Sequence, residues 1–252
     1  MARLNASRTN RLMVKTRRIN NILEESLGVP RQATKLPPPM DMLVATILSQ
    51  NTNDKNSHRA FLALRKRFPT WEKVATAPLR SLKAAIRIGG MANQKGPRIR
   101  NVLRSIRDMY GRYDLSALRR KGSEDVIEEL TGLEGVGVKT AACVLLFSLR
   151  RDIFPVDTHV HRICGRLDLT PGARTPEQTF RMMQPLVPPG KGYSFHTNLI
   201  RFGRSICRAT NPACGVCPLF DECLFPGKRT SRRTAGKSTA DHNFMLLDNV
   251  GS

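Results

Sequence analysis

The stretch that most limits how this chain can fold is Leu133-Glu134-Gly135-Val136-Gly137-Val138-Lys139-Thr140, a glycine-rich turn that runs directly into the apolar residues 141–149. Upstream, Ser123 can cap a helix with Glu124 and Asp125 in its first turn, so 124 to about 131 is expected to be a short helix. Two helices therefore meet at a hairpin. Gly135 and Gly137 open backbone angles closed to other residues and let the chain approach a ligand closely. The first-turn N–H groups of the second helix have no intrahelical acceptor and point outward, which makes an anion site suited to phosphate. Lys139 stands at the start of that helix.

The charge of the chain agrees with a polyanionic partner. Forty-two Lys and Arg against twenty Asp and Glu give a net charge of +22, spread along the whole length. Nucleic acid is the expected partner; a basic solvated surface, or association with ribosomes, is the bland alternative. With 252 residues and 40% hydrophobic content the chain can bury one large core or two small ones. No apolar run approaches the roughly 18 residues of a membrane span, so no membrane partner is expected. Four of the six cysteines crowd between Cys207 and Cys223 without a secretory signal, which points to metal in a reducing compartment rather than to disulfides. The N-terminus is Arg-rich and acid-poor up to Arg18, the pattern of a transit peptide; the apolar period from Ile19 instead fits an ordinary first helix.

Helical periodicity dominates the rest. Residues 1–12 are expected to fray, and about 14–27 to form a helix with Ile19, Ile22, Leu23 and Leu27 on one face. Pro37-Pro38-Pro39 is a stiff connection. Asp41 is a candidate cap for a helix over 42–49, apolar nearly all round and so deeply buried. Asp54 can cap the next, with Phe61, Leu64 and Phe68 in phase. Pro78 opens another with Leu79, Leu82 and Ile86, and Gly89-Gly90 stops it. About 94–110 carries Ile99, Val102, Leu103, Ile106 and Met109 inward, while Arg100, Arg104 and Arg107 line a face that reads first as solvated. A helix opening at Asp157 buries Val160, Ile163, Cys164 and Leu167. Thr175-Pro176-Glu177-Gln178 is a capping box opening a helix to about Leu186. The last helix, about 193–206, carries Phe195, Leu199 and Phe202. No segment alternates for long enough to be a strand, so the fold class is all-α.

On residues alone three assignments stay open. Lys139 is a nucleophile or a phosphate-binding lysine. Asp157 is a functional carboxylate, an ordinary N-cap, or both. Four thiolates in one short loop, Cys207, Cys214, Cys217 and Cys223, suit zinc or an iron–sulfur cluster. Cys143 and Cys164 lie on apolar helix faces and read as buried small hydrophobes.

Taken in order, Leu48-Ser49-Gln50-Asn51-Thr52, then Leu133-x-Gly-Val-Gly-x-Lys-Thr-Ala, then Val156-Asp157-Thr158-His159, then the four cysteines, the chain resembles the endonuclease III family of helix-hairpin-helix DNA glycosylases. The resemblance covers most of the chain. It implies two helical lobes: a six-helix barrel with the hairpin over 30–151, and an iron–sulfur lobe made of 13–29 with 152–225, leaving 1–12 and 226–252 as tails. It implies a [4Fe–4S] cluster on Cys207, Cys214, Cys217 and Cys223, with Arg204, Arg208, Lys228 and Arg229 making a basic, DNA-contacting loop around it.

The same resemblance makes Lys139 the nucleophile and Asp157 its carboxylate partner. The helix macrodipole disfavours an ammonium at Lys139, and a neutral amine can attack the sugar C1′. The implied activity is that of a bifunctional DNA glycosylase and AP lyase. It would excise oxidised pyrimidines from double-stranded DNA, cut 3′ to the abasic site and work as a monomer, in the cytoplasm with the nucleoid if bacterial. DNA contacts are expected at Leu133, Gly135, Val136, Gly137, Thr140 and His159. An extruded nucleotide leaves a gap to be filled, for which Gln50 and Asn51 are both candidates because the family's glutamine falls at Asn51, with Met91 in a second loop. The rivals are a monofunctional mismatch or adenine glycosylase of the same superfamily and a non-catalytic helix-hairpin-helix protein.

Overall fold

The chain passes from one helical unit to another between Gln32 and Ala33, shortly before the proline run that opens the next helix. The computed structural model describes residues 2–228, which divide into two units, one of 2–32 with 152–228 and one of the contiguous 33–151. Every regular element among them is helical, so the all-α expectation holds. None of these helices is long and apolar enough to cross a membrane.

The first unit begins with α1 (Ala2–Leu27). Residues 2–12, expected to fray, are thus the opening turns of the helix rather than a tail. Thr16, Ile19, Asn20 and Leu23 are its buried stripe, spaced at three and four as one helix face demands.

In the contiguous unit, α2 (Pro39–Ser49) starts at a proline, whose fixed φ suits a first helical position. Asp41 is therefore not the cap; its Oδ1 accepts a 3.0 Å bond from Trp71 Nε1. Asn53, not Asp54, caps α3 (Asp54–Arg67), accepting from Asn56 N at 2.9 Å. The periodicity gave no sign of α4 (Trp71–Thr76), a six-residue helix whose cap Thr70 accepts from Lys73 N at 3.2 Å. After α5 (Leu79–Ile86) a short 3-10 turn, Arg87–Gly89, leads into α6 (Ala92–Tyr110). Met109, expected inward on α6, is 50% exposed. The helix ends there, and Gly111 turns the chain at φ 69°. Arg104 and Arg107 are exposed on its outer face.

Gly122, not Ser123, occupies the cap of α7 (Ser123–Thr131), with its N–H donating to Asp125 Oδ2 at 3.2 Å. The turn then enters α8 (Val138–Ser148). α2 and α8 pack on each other, each buried on nearly every face. Residues apolar all round can only be core. They form the centre of this unit, and the hairpin is fixed because α8 is.

Back in the first unit are α9 (Thr158–Arg166), α10 (Pro176–Met183) and α11 (Gly192–Ser205). The box at Thr175 forms in both directions, at 3.2 and 3.3 Å, although α10 stops at Met183 rather than Leu186. α11 lies against α1 and α9 with Phe195, Leu199 and Phe202 buried. Lys15 Nζ donates to Leu167 O at 2.6 Å and Lys191 pairs with Glu24 at 2.9 Å, tying the early helix to the late ones. Lys228, beyond the expected end of the fold at 225, donates to Cys223 O at 2.9 Å and Phe220 O at 3.2 Å. The remainder of the expected tail, with Arg229, lies outside the described residues.

Candidate functional site

The hairpin turns on three short backbone bonds: Gly132 N to Glu128 O at 3.0 Å, Leu133 N to Leu130 O at 3.2 Å, and Val136 N to Leu133 O at 3.0 Å. Leu133 and Val136 are each 5% exposed, so their side chains pin the turn to the core. Thr140 is buried as well. These three, expected among the DNA contacts, have no side chain to offer a ligand. Gly135 and Gly137 carry the outward-facing backbone.

The two glycines differ. Gly135 sits at φ 79°, and a Cβ there would fall within the space of the Arg98 side chain. Gly137, the cap of α8, has φ −94° and nothing near its missing Cβ. Of the two glycines expected to use backbone angles closed to other residues, only Gly135 takes a positive φ. Lys139 follows in the first turn of α8, half-buried, beside these amides.

Arg98 carries the hairpin's influence further. Its Nη1 donates to Gln50 Oε1 at 2.6 Å, so Gln50 is held by a charged donor that also lies over Gly135. Asn51 beside it is exposed, at φ 50°. Met91, 41% exposed, has φ 51° and caps α6. Lys95, 1% exposed, ties together the backbone shortly before each of these residues: its Nζ donates to Leu48 O at 2.7 Å and to Gly89 O at 2.8 Å. Burial, and secondarily Arg98, brings its ammonium down to about 8. Neither Lys95 nor Arg98 stood out in the sequence. A lone cation on a helix reads as solvated, and the acceptor carbonyls of Lys95 carry no side-chain signal.

In the other unit, Asp157 is the N-cap of α9, its Oδ1 accepting from Val160 N at 2.8 Å. His159 is half-buried, its Nδ1 3.1 Å from Arg162 Nη2, and packed against Gly203 of α11. Burial lowers its pKa, favouring the neutral ring of a packing residue over a phosphate ligand. Arg162 goes on to donate to Gly203 O at 3.1 Å and Cys207 O at 2.9 Å, joining α9 to the cysteine loop.

All four cysteines of that loop line one cavity with Arg166, Phe220, Phe225 and Lys228. Arg166 Nη1 donates to Cys207 Sγ at 3.3 Å and Phe225 N to Cys223 Sγ at 3.4 Å, while the guanidinium of Arg166 stacks 4.2 Å from the Phe225 ring. Burial pushes the Cys217 thiol up to about 12 and raises Cys207 against the pull of Arg166, so loading must drive protons off buried sulfurs. Four sulfurs lining one cavity, two of them accepting from N–H donors, have the chemistry to hold an iron–sulfur cluster. Cys143 and Cys164 are buried, as expected, and burial takes the Cys164 thiol to about 12.

Comparison with known proteins adds a family. Residues 44–189 match the model described as HhH-GPD superfamily base excision DNA repair protein, and residues 207–223 match the iron–sulfur binding domain of endonuclease III. Endonuclease III of Thermotoga maritima is 36% identical over 191 residues, 76% of this chain and 85% of that protein. A protein of Arabidopsis thaliana bearing a DNA glycosylase name is 37% identical over 187 residues, 74% of this chain and 62% of the plant protein. Among solved structures, a non-covalent complex of an endonuclease III with DNA superposes with a TM-score of 0.72 at 24% identity, covering 84% of this chain and 95% of that one; at this identity the likeness is one of fold.

Proposed function

Because the chain belongs to the HhH-GPD superfamily of base excision DNA repair proteins, we propose that it is a bifunctional DNA glycosylase and AP lyase acting on oxidised pyrimidines in duplex DNA. The observation that carries the reading is the position of Lys139, half-buried in the first turn of α8 and two residues from the exposed cap Gly137. An amine so placed lies next to backbone donors suited to a DNA phosphate.

In the proposed reaction the free-base amine of Lys139 attacks C1′, and the C1′–N bond to the damaged base breaks with the electron pair leaving on the base, which takes up a proton. The amine nitrogen loses its proton, the C1′–O4′ bond opens, and O4′ is protonated, leaving an imine between Lys139 and the sugar. Removal of a C2′ proton then expels the 3′ phosphate, which cuts the strand 3′ to the lesion, and water releases the lysine. Asp157, its carboxylate fixed by the Val160 amide, is assigned the offset of positive charge on the sugar. The outward backbone at Gly135 and Gly137 is assigned the phosphate, and Asn51 and Met91 the gap left by the extruded nucleotide. Gln50 is the weaker gap-filling candidate because Arg98 already holds its carbonyl oxygen.

Cys207, Cys214, Cys217 and Cys223 would hold the [4Fe–4S] cluster, a reading supported by the match of 207–223 to the iron–sulfur binding domain of endonuclease III, and the cluster would supply a closed cross-link for the loop. Arg166 and the Phe225 amide orient the sulfurs, and Lys228 and Arg162 bond carbonyls at the rim.

Lys139→Gln tests the reading. The variant should bind an abasic-site analogue as the wild type does, yet give no covalent adduct with borohydride. Adduct formation at the normal rate would assign the nucleophile elsewhere, and a wild type that forms no adduct would leave only a monofunctional or non-catalytic protein.

A further inference from the structure

Lys95 is one of the large, fully buried side chains of the described residues and carries a charge. Placing an ammonium in a core is costly, and an unbranched apolar residue of similar volume would fill the space without that cost. Its two acceptors say what the cation does there. Leu48 O belongs to the last turn of α2 and Gly89 O to the end of the 3-10 turn after α5, so two C-terminal carbonyl ends converge on one Nζ, at 2.7 and 2.8 Å. Asn51 lies three residues beyond the first carbonyl and Met91 two beyond the second.

A second observation points the same way. Asn51 and Met91 both hold left-handed backbone angles, φ 50° and 51°. Asparagine tolerates that region, but an unbranched residue such as methionine is disfavoured there. Met91 is kept in place from both sides: by the tie on Gly89, and by its own carbonyl, which accepts from Gln94 N at 3.0 Å and from Lys95 N at 2.9 Å. The same lysine thus anchors the loop through its head group and its backbone.

We propose that Lys95 is a positioning residue for nucleotide extrusion, a clamp that fixes the distance between the two exposed loop residues, Asn51 and Met91, as they enter the duplex. The assignment rests on the glycosylase reading above. The ammonium retains its proton at neutral pH even though burial brings it down to about 8. Arg98, one turn along α6, supports the same turn through Gln50.

The role separates substrates that need a nucleotide pushed out from one that does not. Lys95→Met and wild type are compared in single turnovers at saturating enzyme on two DNAs: a duplex with one paired oxidised pyrimidine, and a single strand with an abasic site, read by borohydride trapping. The variant should be about 100-fold slower on the duplex, the scale of an ångström-sized misplacement, and nearly unchanged on the single strand. In an Asn51→Ala, Met91→Ala background the same substitution should cost nothing further on the duplex. Equal loss on both substrates would make Lys95 a general support of the fold and overturn the proposal, as would no loss on either. A wild type inactive on both would instead overturn the glycosylase reading. Should Lys95→Met not fold, Lys95→Gln, which keeps a donor for one carbonyl, is subject to the same two outcomes.

Discussion

Gly135→Ala puts the hairpin geometry to a quantitative test. At φ 79° an alanine carries left-handed strain of about 1 kcal/mol. Its methyl also occupies space taken by the Arg98 side chain. Arginine can swing aside, but doing so breaks the 2.6 Å bond to Gln50 Oε1. A hydrogen bond from a charged donor contributes about 1.5 kcal/mol at the lower end of its range, appropriate for a half-exposed pair. The total, about 2.5 kcal/mol, corresponds to a melting temperature lower by roughly 5–10 °C for a protein of this size. Circular dichroism melts of four proteins would resolve the parts: wild type, Gly135→Ala, Arg98→Ala, and the double variant. With Arg98 gone its bond is already lost and the three atoms nearest the methyl are removed, so Gly135→Ala should then cost mainly the strain, about 1 kcal/mol. The two substitutions should be non-additive by about 1.5 kcal/mol. An alanine cost that is the same in both backgrounds would show that Arg98 does not lie over the turn. A melt unchanged by Gly135→Ala would refute the left-handed requirement as well.

Gly137→Val, at an open position with an ordinary φ, should leave the melt within about 1 kcal/mol of wild type yet weaken binding to damaged and undamaged duplexes alike, by about tenfold for one lost amide-to-phosphate contact. Unchanged affinity, measured by fluorescence anisotropy, would reduce the hairpin to a tight turn. Asp157→Asn preserves the Oδ1 acceptor for Val160 N and should melt like wild type while losing single-turnover cleavage; Asp157→Ala should lose about 1 kcal/mol of stability besides. A fully active Asp157→Asn would leave the residue only its cap. Cys214→Ser should lower iron and sulfide content, melting temperature and DNA affinity together, while the folded fraction still traps at saturating DNA; a folded, metal-replete variant without lyase chemistry would contradict a purely structural cluster.

What could be read from the sequence was what one segment encodes by itself. α2 and α8 announced their burial because no face of either is polar, and the box at Thr175 specified both of its bonds. Asp157 was legible as a cap for the same reason. α4 was missed because six residues are too few to show a period, although Thr70 offered a cap. Met109 was misplaced because its phase along α6 is correct but the partner it would pack on is not there at the helix's last turn. Lys95 and Arg98 were invisible for a deeper reason. Leu48 O and Gln50 Oε1 lie 47 and 48 residues from them, and both acceptors of Lys95 are backbone carbonyls, which leave no mark on residue identity. The hairpin's existence was local information, whereas which of its glycines needs the left-handed angle depended on the dihedral geometry of the folded turn.

The discontinuity of the first unit sets the order in which the protein can be made. A ribosome releases α1 first, yet α11, against which Ile19 and Leu23 are buried, comes near the end of the described chain. Between them the whole of 33–151 is synthesised, a contiguous unit free to fold on its own schedule. During that interval the nascent α1 is an amphipathic helix with an apolar stripe and no partner. The exposed Arg8, Arg11, Arg17 and Arg18 on its other faces are placed to act as gatekeepers against self-association. A cluster held by all four cysteines can form only after Cys223 has emerged, so its assembly would follow the synthesis of 33–151. A ribosome stalled before α11 would leave the contiguous hairpin unit complete but tethered to a helix whose apolar stripe has no partner.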